Sequence, residues 1–353
     1  MRRATFFGAV GAALGLALVC AAGVRAADIT LTETGSSLLY PLFTNWAAQY
    51  AKLDPSVRIV ASSTGSGVGI SQAVAGAVMI GTSDAYMSDQ EMKQNPDIIN
   101  VPLAISAQTV NYNLPGLNGV PLRLDGPTLA GIYSGTIRSW DDGAIAALNP
   151  GVKLPHHEIR PIRRGDGSGD TFVFTQYLTF STPAWENGPG YGTTITWPAV
   201  PGALEARGNA GMVQTSKDNP YSIAYIGVSF HDEIAQAGLG TALLRNEDGA
   251  FVLPTRATVT AAAGVLGPRT PPDERLSLVF APGADSYPLV NYEYAIVSTK
   301  QHDETTAAAI REFLLWSVAM CQGNATKNLA VVRFIPLPDY IRALSEAQIE
   351  KIQ

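Results

Sequence analysis

A stretch in the middle of the chain combines residue types that bind oxyanions. It covers residues 162–172, with the sequence IRRGDGSGDTF. Arginine offers a planar fork of donors to two oxygens of an anion, Ser168 adds a hydroxyl, and the glycines allow close backbone approach. Adjacent side chains of a strand point to opposite faces, so Arg163 and Arg164 cannot both face one site. We predict that Arg164 faces the anion, from a strand that leads through the glycine loop into a helix.

Two shorter motifs stand where a helix begins or a strand ends, which is where open α/β sheets bind ligands. Residues 35–38 (GSSL) open a helix with small residues and hydroxyls, and its free N–H groups suit an anion. Either serine can equally be a plain helix cap. Residues 81–84 (GTSD) end a strand on an aspartate, and the alternative for this aspartate is a cap for the turn at residues 88–92.

A third motif, residues 65–69 (GSGVG), is a glycine-rich turn into a helix and admits two interpretations. A strand, a glycine turn and an acid 19 residues after Gly65, at Asp84, imitate a dinucleotide-binding fingerprint. However, the spacing is G-x-G-x-G, and Ile70 stands where that fingerprint has its last glycine. A single small anion on backbone N–H groups fits the motif better.

Apolar runs alternate with helical patterns through the N-terminal third, which predicts βα units. The expected strands are 28–34, 57–63 and 78–82, and the expected helices are 37–53 and 69–75. Between about 116 and 288, glycine and proline separate shorter elements. Regular patterns return with a strand at 290–298, a helix at 304–319 and an amphipathic end at 344–352. This predicts an α/β protein with a mainly parallel sheet, whose chain starts one lobe, builds a second and returns.

The first residues are typical of a cleavable export signal. Arg2 and Arg3 precede an uncharged apolar run, and residues 24–26 (VRA) offer small residues for cleavage after residue 26. The run is shorter than the ~20 residues of a membrane span. Cys20 is a candidate for lipidation, but the two residues before it are not small. We therefore expect a periplasmic protein rather than a lipid-anchored one.

Net charge and cysteine content limit the partners and the covalent cross-links that this protein can have. Cleavage after residue 26 removes three arginines and no acid, so the formal net charge changes from −6 to −9. Nucleic acid is not expected as a partner, because its backbone needs clustered lysine and arginine. A small anion remains compatible, since distant surface charge is screened within ~8–10 Å. With Cys20 removed, Cys321 is the last cysteine, and no intramolecular disulfide can form.

Two weaker candidates carry other chemistry. His156 and His157 are adjacent in a loop, but no cysteine or second histidine pair gives the spacing of a metal site. Ser168 lies in a G-S-G sequence, yet the G-x-S-x-G pattern of a hydrolase nucleophile is absent. We therefore expect no metal, no cofactor and no catalytic residue.

Taken together, the motifs resemble the periplasmic phosphate-binding proteins of Pst-type ABC transporters. The sequence R-R-x-D-G-S-G followed by a phenylalanine-rich helix carries much of the likeness. Similar stretches occur in the same order at residues 31–46, 64–72, 81–89, 124–150 and 291–297. The resemblance implies the two-lobed periplasmic-binding-protein fold (type II), with hinged lobes and a ligand cleft between them.

Carried over by position, the resemblance implies a phosphate site. Its expected contacts are Ser37, Leu38, Ser66 and Asp84 on one side, and Arg164, Ser168, Gly169 and Asp170 on the other. Ser37 replaces a commoner threonine and keeps the hydroxyl, while Leu38 replaces a phenylalanine that donates through its backbone. Asp170 replaces a threonine. Its carboxylate either accepts the second proton of monobasic phosphate, or turns away and complements the helix dipole.

The resemblance also implies lobe boundaries and partners. The signal peptide is residues 1–26, lobe I comprises residues 27–104 and 288–353, and lobe II comprises residues 105–287. The expected function is high-affinity binding of inorganic phosphate by a monomer, and delivery to the membrane permease subunits of an ABC transporter. The alternatives are a binder of another tetrahedral oxyanion, and an exported phosphatase or phosphotransferase that uses Asp84 or Ser168.

Overall fold

The computed structural model describes Met1 and residues 29–353. Its strands are β1 (Ile29–Gly35), β2 (Val57–Val60), β3 (Ile80–Ser83), β4 (Ile98–Tyr112), β5 (Arg123–Leu124), β6 (Arg160–Arg164), β7 (Leu204–Ala206), β8 (Ser222–Gly227), β9 (Gly240–Thr241), β10 (Leu243–Arg245), β11 (Phe251–Val252) and β12 (Val290–Ser298). Its helices are α1 (Tyr40–Leu53), α2 (Ser66–Val74), α3 (Asp89–Gln94), α4 (Gly126–Ser134), α5 (Gly143–Leu148), α6 (Gly169–Ser181), α7 (Pro183–Glu186), α8 (Gly208–Asp218), α9 (His231–Gln236), α10 (Arg256–Leu266), α11 (Glu304–Val318), α12 (Thr326–Ala330) and α13 (Asp339–Ile349).

The N-terminal third folds into the parallel βα units that the sequence predicts. Strand β1 pairs in parallel with both β2 and β3. Helix α1 turns one apolar face inward, formed by Leu42, Phe43, Trp46 and Tyr50. The rings of Phe43 and Tyr50 pack edge-on against Phe313 of α11, with centroids 5.4 and 5.2 Å apart. The chain therefore returns at its end to cover the units with which it began.

Strand β4 joins two halves of one sheet, whose strand order is β2-β1-β3-β12-β4-β8-β6-β7. Residues 98–107 of β4 pair with β12, whereas residues 108–112 pair with β8. We call the strands on the β12 side the first half-sheet and those on the β8 side the second half-sheet. The sheet is mixed rather than mainly parallel, because the chain crosses along β4 and returns antiparallel along β12.

Aromatic packing holds the second half-sheet together. Tyr133 of α4, Phe174 of α6 and Tyr225 of β8 are fully buried, and Phe174 stacks on Tyr225 with centroids 4.5 Å apart. The Tyr133 hydroxyl donates to the carbonyl of Ile162 at 3.2 Å. These contacts fix β6 and α6, which carry the two ends of the 162–172 motif.

Two helices begin elsewhere than the sequence predicts. Helix α1 begins at Tyr40 and not at residue 37, because Ser36 Oγ accepts the N–H groups of Leu38 and Leu39 in a preceding turn. Helix α2 begins at Ser66 and not at residue 69, directly after Gly65, which has a φ of +95°.

Apart from Met1, the predicted export signal lies outside the described residues, and so does Cys20. Within residues 29–353, no helix combines the length and the apolar character needed to cross a bilayer. Cys321 is exposed and is a free thiol in that part of the chain.

Candidate oxyanion site

Four helices begin where the two half-sheets meet. Helix α1 follows β1, α2 follows β2, α6 follows β6 and α8 follows β7, so each begins beyond the carboxyl end of its strand. Helix N-termini offer unpaired N–H groups and the positive end of a dipole, which favour an anion. This junction is also where an open α/β sheet is expected to bind its ligand.

One wall of the junction, which we call the acidic wall, is formed by Asp84 and Glu293 with Ser36 and Ser66. Asp84 follows β3 and is 2% exposed. Its carboxylate accepts hydrogen bonds from the hydroxyls of Ser36 and Ser66, the second at 3.3 Å. The alternative that this aspartate caps the next turn is wrong, because Ser88 caps α3.

Glu293 lies on β12 beside Asp84 and is fully buried. Its Oε1 accepts from the hydroxyl of Ser106 at 2.5 Å and from the amide of Asn291 at 3.0 Å. Tyr294 of β12 is paired with Ser83 of the antiparallel β3, which places Glu293 next to Asp84. Burial raises the pKa of Glu293 well above its usual range, and the charge of Asp84 raises it further. Burial raises the pKa of Asp84 as well. The neighbouring carboxyl of Glu293, the hydroxyls of Ser36 and Ser66, and the charge of Arg164 lower it.

The opposite wall, which we call the ion-paired wall, consists of Arg164, Asp166, Asp170 and Asn209. Arg164 ends β6, and its side chain is 1% exposed. Its guanidinium donates to both oxygens of Asp166, at 2.8 and 2.5 Å, and to Oδ2 of Asp170 at 2.6 Å. The fork geometry expected of an arginine is therefore present, with aspartates as its partners.

The charged groups of this wall differ in how firmly they hold their charge. Burial alone would lower the pKa of Arg164, but Asp166 and Asp170 outweigh burial and raise it above its usual value. Burial would raise the pKa of Asp166, but Arg164 outweighs it and holds that pKa below its usual value. Burial and the charge of Asp84 raise the pKa of Asp170 to about 7, against the opposing effect of Arg164. Asp170 is therefore the group of this wall that titrates near neutrality.

Asn209, at the start of α8, connects the ion-paired wall to the loop before α1. Its backbone N–H and its Nδ2 donate to Ser37 Oγ at 3.1 and 3.0 Å. Nδ2 also donates to Oδ2 of Asp170 at 2.8 Å, and Oδ1 accepts the N–H of Gly227 at 2.7 Å. This fully buried amide therefore holds both half-sheets at once.

Glycines allow the two walls to touch. The N–H of Gly67 donates to the carbonyl of Gly167 at 2.9 Å, so the two glycine-rich loops pack together. A Cβ atom on Gly169 would lie 2.5 Å from the Cβ of Asp84 and 2.6 Å from Oγ of Ser66. Close contact between the walls accounts for these glycines without a dinucleotide.

The structure brings together all the residues predicted as ligand contacts. They are Ser37, Leu38, Ser66, Asp84, Arg164, Ser168, Gly169 and Asp170, and every one is buried. Ser168 caps α6, since its Oγ accepts the N–H of Thr171 at 3.3 Å. The N–H of Leu38 donates to Ser36 Oγ at 3.1 Å, and its side chain packs against Gly227. Their contacts with a ligand stay predictions.

Other sequence candidates lie away from the junction. Arg163 points to the opposite face from Arg164, as the alternation predicts, and its guanidinium lies 5.5 Å from the ring centre of Trp197. His156 is exposed, and His157 stacks on Tyr221. Among the residues that the structure describes, no group of three or more histidine, cysteine, aspartate or glutamate residues is placed to hold a metal ion.

Four residues of the walls were not assigned to the site from the sequence, and one of them, Ser36, lies in the motif at residues 35–38. Asp166 stands two residues after Arg164, and the adjacent opposite charges were a usable signal for their ion pair. Glu293 lies in the stretch at 291–297 that resembles the family, but a buried strand does not reveal which side chain faces a site. Asn209 lies outside every motif, and its place depends on how β7 pairs with β6.

A cavity of about 860 Å³ opens beside the two walls. Ser37, Asp166 and Asn209 line it on the side of the site. Arg207 and Glu233, which are exposed, also line it. The cavity therefore connects Asp166 and Asn209 of the ion-paired wall with solvent.

Comparison with known proteins agrees with this geometry. A family model described as a PBP superfamily domain matches residues 21–319. The phosphate-binding protein PstS of Methanocaldococcus jannaschii is 30% identical over 333 residues, covering 89% of this chain and 84% of that protein. PstS of Haemophilus influenzae is 30% identical over 309 residues, covering 88% of this chain and 89% of that protein. The chain belongs to the PstS family of phosphate-binding proteins.

Solved structures confirm the fold of this PstS-family chain. A high-affinity periplasmic phosphate-binding protein called PfluDING, bound with phosphate, superposes with a TM-score of 0.70 at 21% identity, covering 90% of this chain and 93% of that one. A putative phosphate ABC transporter substrate-binding protein from Clostridium perfringens gives 0.63 at 18% identity, covering 88% and 100%. The α/β periplasmic-binding-protein fold predicted from the sequence is therefore confirmed.

Proposed function

We propose that this protein binds one inorganic phosphate between its two walls and delivers it to an ABC transporter. The observation that carries the proposal is a buried guanidinium at a junction of helix N-termini, opposite the carboxyl of Asp84. Phosphate near neutral pH suits this arrangement, because it is an anion that needs donors and still carries a proton that needs an acceptor. Relatives that bear the name phosphate-binding protein support the same function.

The eight residues predicted from the sequence divide between donors and acceptors. Ser37, Ser66 and Ser168 supply hydroxyls, Leu38 and Gly169 supply backbone N–H groups, Arg164 supplies its guanidinium, and Asp84 and Asp170 accept. An arginine has five N–H donors, and three of those on Arg164 go to aspartates within the described residues. Two therefore remain for a phosphate oxygen.

We further propose that residues 27–104 and 288–353 form lobe I, residues 105–287 form lobe II, and the two crossings form the hinge. Strand β4 changes partner between Ala107 and Gln108, and β12 begins at Val290, which supports boundaries in this part of the fold. A phosphate that bonds to both walls would favour the arrangement in which the lobes meet.

The proposed place of action is the periplasm, after cleavage of residues 1–26, with the protein acting as a monomer and without catalysis. N-terminal sequencing of the protein from a periplasmic fraction tests the processing. A start near Ala27 is expected, whereas a start at Cys20 would reveal a lipoprotein. Light scattering of the same sample measures the oligomeric state.

Titration calorimetry of phosphate-free protein tests the binding function. One phosphate per chain is expected, with heats that an excess of sulfate does not abolish. A binding heat with sulfate but none with phosphate would show that the ligand is an oxyanion other than phosphate. Steady release of phosphate from a chromogenic ester would show that the protein is a phosphatase, because a binding protein does not turn over a substrate.

A further inference from the structure

Glu293 is a buried acid for which ligand binding alone gives no role. The register between β12 and β4 shifts between Glu293 and Tyr294, which marks a β-bulge. Bulges re-aim side chains and are common beside functional sites. In the part of the chain that the structure describes, no lysine or arginine forms an ion pair with Glu293. A buried carboxylate without a cation is costly, so its protonation state needs an explanation.

The two oxygens of Glu293 have different surroundings. Oε1 accepts from Ser106 and Asn291, whereas Oε2 has no donor among residues 29–353. Glu293 lies next to Asp84, because Tyr294 of β12 is paired with Ser83 of the antiparallel β3. Asn291 Nδ2 also donates to the backbone carbonyl of Asp84 at 3.3 Å, which ties the two acids together. An oxygen without a donor next to a carboxylate is the natural place for a proton.

Two carboxylates in contact in a buried site cannot both be ionised at modest cost. Asp84 has what an ionised group requires, since two serine hydroxyls donate to it and Arg164 faces it from the other wall. Asp170 also faces Asp84 from that wall. The charged group that faces Glu293 is Asp84. The proton of the pair therefore belongs on Glu293.

We propose that Glu293 is a positioning residue that determines specificity: it is a neutral carboxylic acid that donates its proton to Asp84 in a hydrogen bond. That bond keeps Asp84 ionised and fixes the direction of its remaining lone pairs. Asp84 then accepts a hydrogen bond from an O–H of phosphate and repels sulfate, which has no O–H to donate. This role rests on the proposed function, because it concerns the choice of ligand at the same site.

Three variants test the role through the ratio of phosphate to sulfate affinity. Glu293→Met keeps the size but removes the donor, so Asp84 binds a proton itself and the ratio falls about tenfold to a hundredfold. Glu293→Gln keeps an N–H donor toward Asp84 and retains most of the ratio. Glu274→Gln is the matched control, because Glu274 is also a buried acid but its Oε1 accepts from Ser345 on α13. Its ratio should equal that of the wild type.

Infrared spectroscopy provides a second readout that needs no ligand. Burial also raises the pKa of Glu33 and Glu274, so these acids contribute carbonyl bands of their own. The readout is therefore the difference spectrum between the wild type and Glu293→Gln, which should contain the carbonyl band of one neutral acid, and Glu274→Gln should keep that band. Absence of that band, or an unchanged affinity ratio in folded Glu293→Met, would overturn the role of Glu293. If Glu293→Met does not fold, the infrared difference decides. A wild-type protein that binds no phosphate would instead overturn the proposed function, and the infrared result would still report on the proton.

Discussion

The two walls of the site hold their charge in different ways. The ion-paired wall contains a guanidinium that forms hydrogen bonds to two aspartates. The positive charge of this wall is therefore permanent, because an arginine does not lose its proton in a protein. The acidic wall contains two neighbouring carboxyls, and within the described residues its donors are hydroxyls and amides. The charge of the acidic wall therefore depends on protons, whereas that of the ion-paired wall depends mainly on Arg164.

This difference explains how one site can bind an anion and still be rich in acid. Asp84, Asp166 and Asp170 lie around Arg164, Glu293 lies next to Asp84, and a phosphate would add further negative charge. So many ionised groups cannot share one buried cation at modest cost. Some of the acids must hold protons when phosphate is bound, and the acidic wall and Asp170 are where those protons fit. Variants that change one wall at a time can separate the two effects.

The largest effect is expected on the ion-paired wall. Arg164→Ala removes the cation and leaves Asp166 and Asp170 buried and unpaired, which should weaken phosphate binding by about 2–5 kcal/mol, or roughly 30-fold to several thousand-fold. Titration calorimetry measures the loss. Arg163→Ala is the matched control, because Arg163 lies over Trp197 on the other face and its loss should affect stability more than affinity. A greater loss of affinity in Arg163→Ala would show that Arg163, and not Arg164, binds the anion.

A smaller effect is expected from Asp84→Asn on the acidic wall. An amide keeps the size of the side chain and adds a donor, so sulfate no longer meets a carboxylate. We expect the ratio of phosphate to sulfate affinity to fall by about tenfold or more, the value of a hydrogen bond to a charged group. Competition titration of both anions gives the ratio. If the ratio does not change, selectivity does not originate from the acidic wall.

The sequence predicted the elements of the fold better than their pairing. Strand Val290–Ser298 has the predicted bounds, and α11 differs from its prediction by one residue, because both have strong apolar periodicity. The mixed sheet was not predicted. It depends on β4 changing partner between Ala107 and Gln108, and pairing between strands so distant in sequence leaves no local pattern.

Short motifs identified residues that meet at the junction, whereas residues that tertiary packing brings there were missed, and the ligand contacts of all of them stay predictions. Arg164 and Asp84 follow from strand ends with recognisable neighbours. Asn209 and Glu293 arrive through strand pairing and a bulge, which a single sequence does not show. Asp166 is a different case, because the sequence shows that it follows Arg164 by two residues. Only its role as an ion-pair partner was not assigned.

The carboxyl of Asp170 should make phosphate affinity depend on pH. Its side chain lies within the ion-paired wall, where its Oδ1 has no partner among the described residues. Its pKa of about 7 means that the acid holds a proton below neutrality and loses it above, where the added charge repels phosphate. Wild-type affinity should therefore fall as pH rises through about 7. In Asp170→Thr the fall should be shallower.

Titration calorimetry across this pH range, with total phosphate as the ligand scale, compares the two proteins. Parallel pH profiles would show that Asp170 does not exchange a proton with the ligand. It would then act as an acid at a helix N-terminus, which is worth about 0.3–1 kcal/mol in stability.

The smallest expected effect concerns the support behind the acidic wall. Thr82 Oγ1 donates to Glu33 at 2.5 Å and accepts the N–H of Ser36 at 3.0 Å, so a second buried acid supports the serine that holds Asp84. Burial raises the pKa of Glu33 from 4.5 to about 8, against the opposing hydrogen bond from Thr82. Between these two values the folded protein holds a proton that the unfolded chain has lost. The contribution of Glu33 to the free energy of unfolding must therefore fall as pH rises through this window, by up to about 1.4 kcal/mol per pH unit.

Chemical unfolding across this pH range measures the slope of the free energy of unfolding against pH. The slope of Glu33→Gln should be less negative than that of the wild type, while Glu350→Gln, an exposed control, should keep the wild-type slope. Equal slopes in all three proteins would mean that Glu33 is ionised in the fold, and that the support of the acidic wall does not depend on a proton.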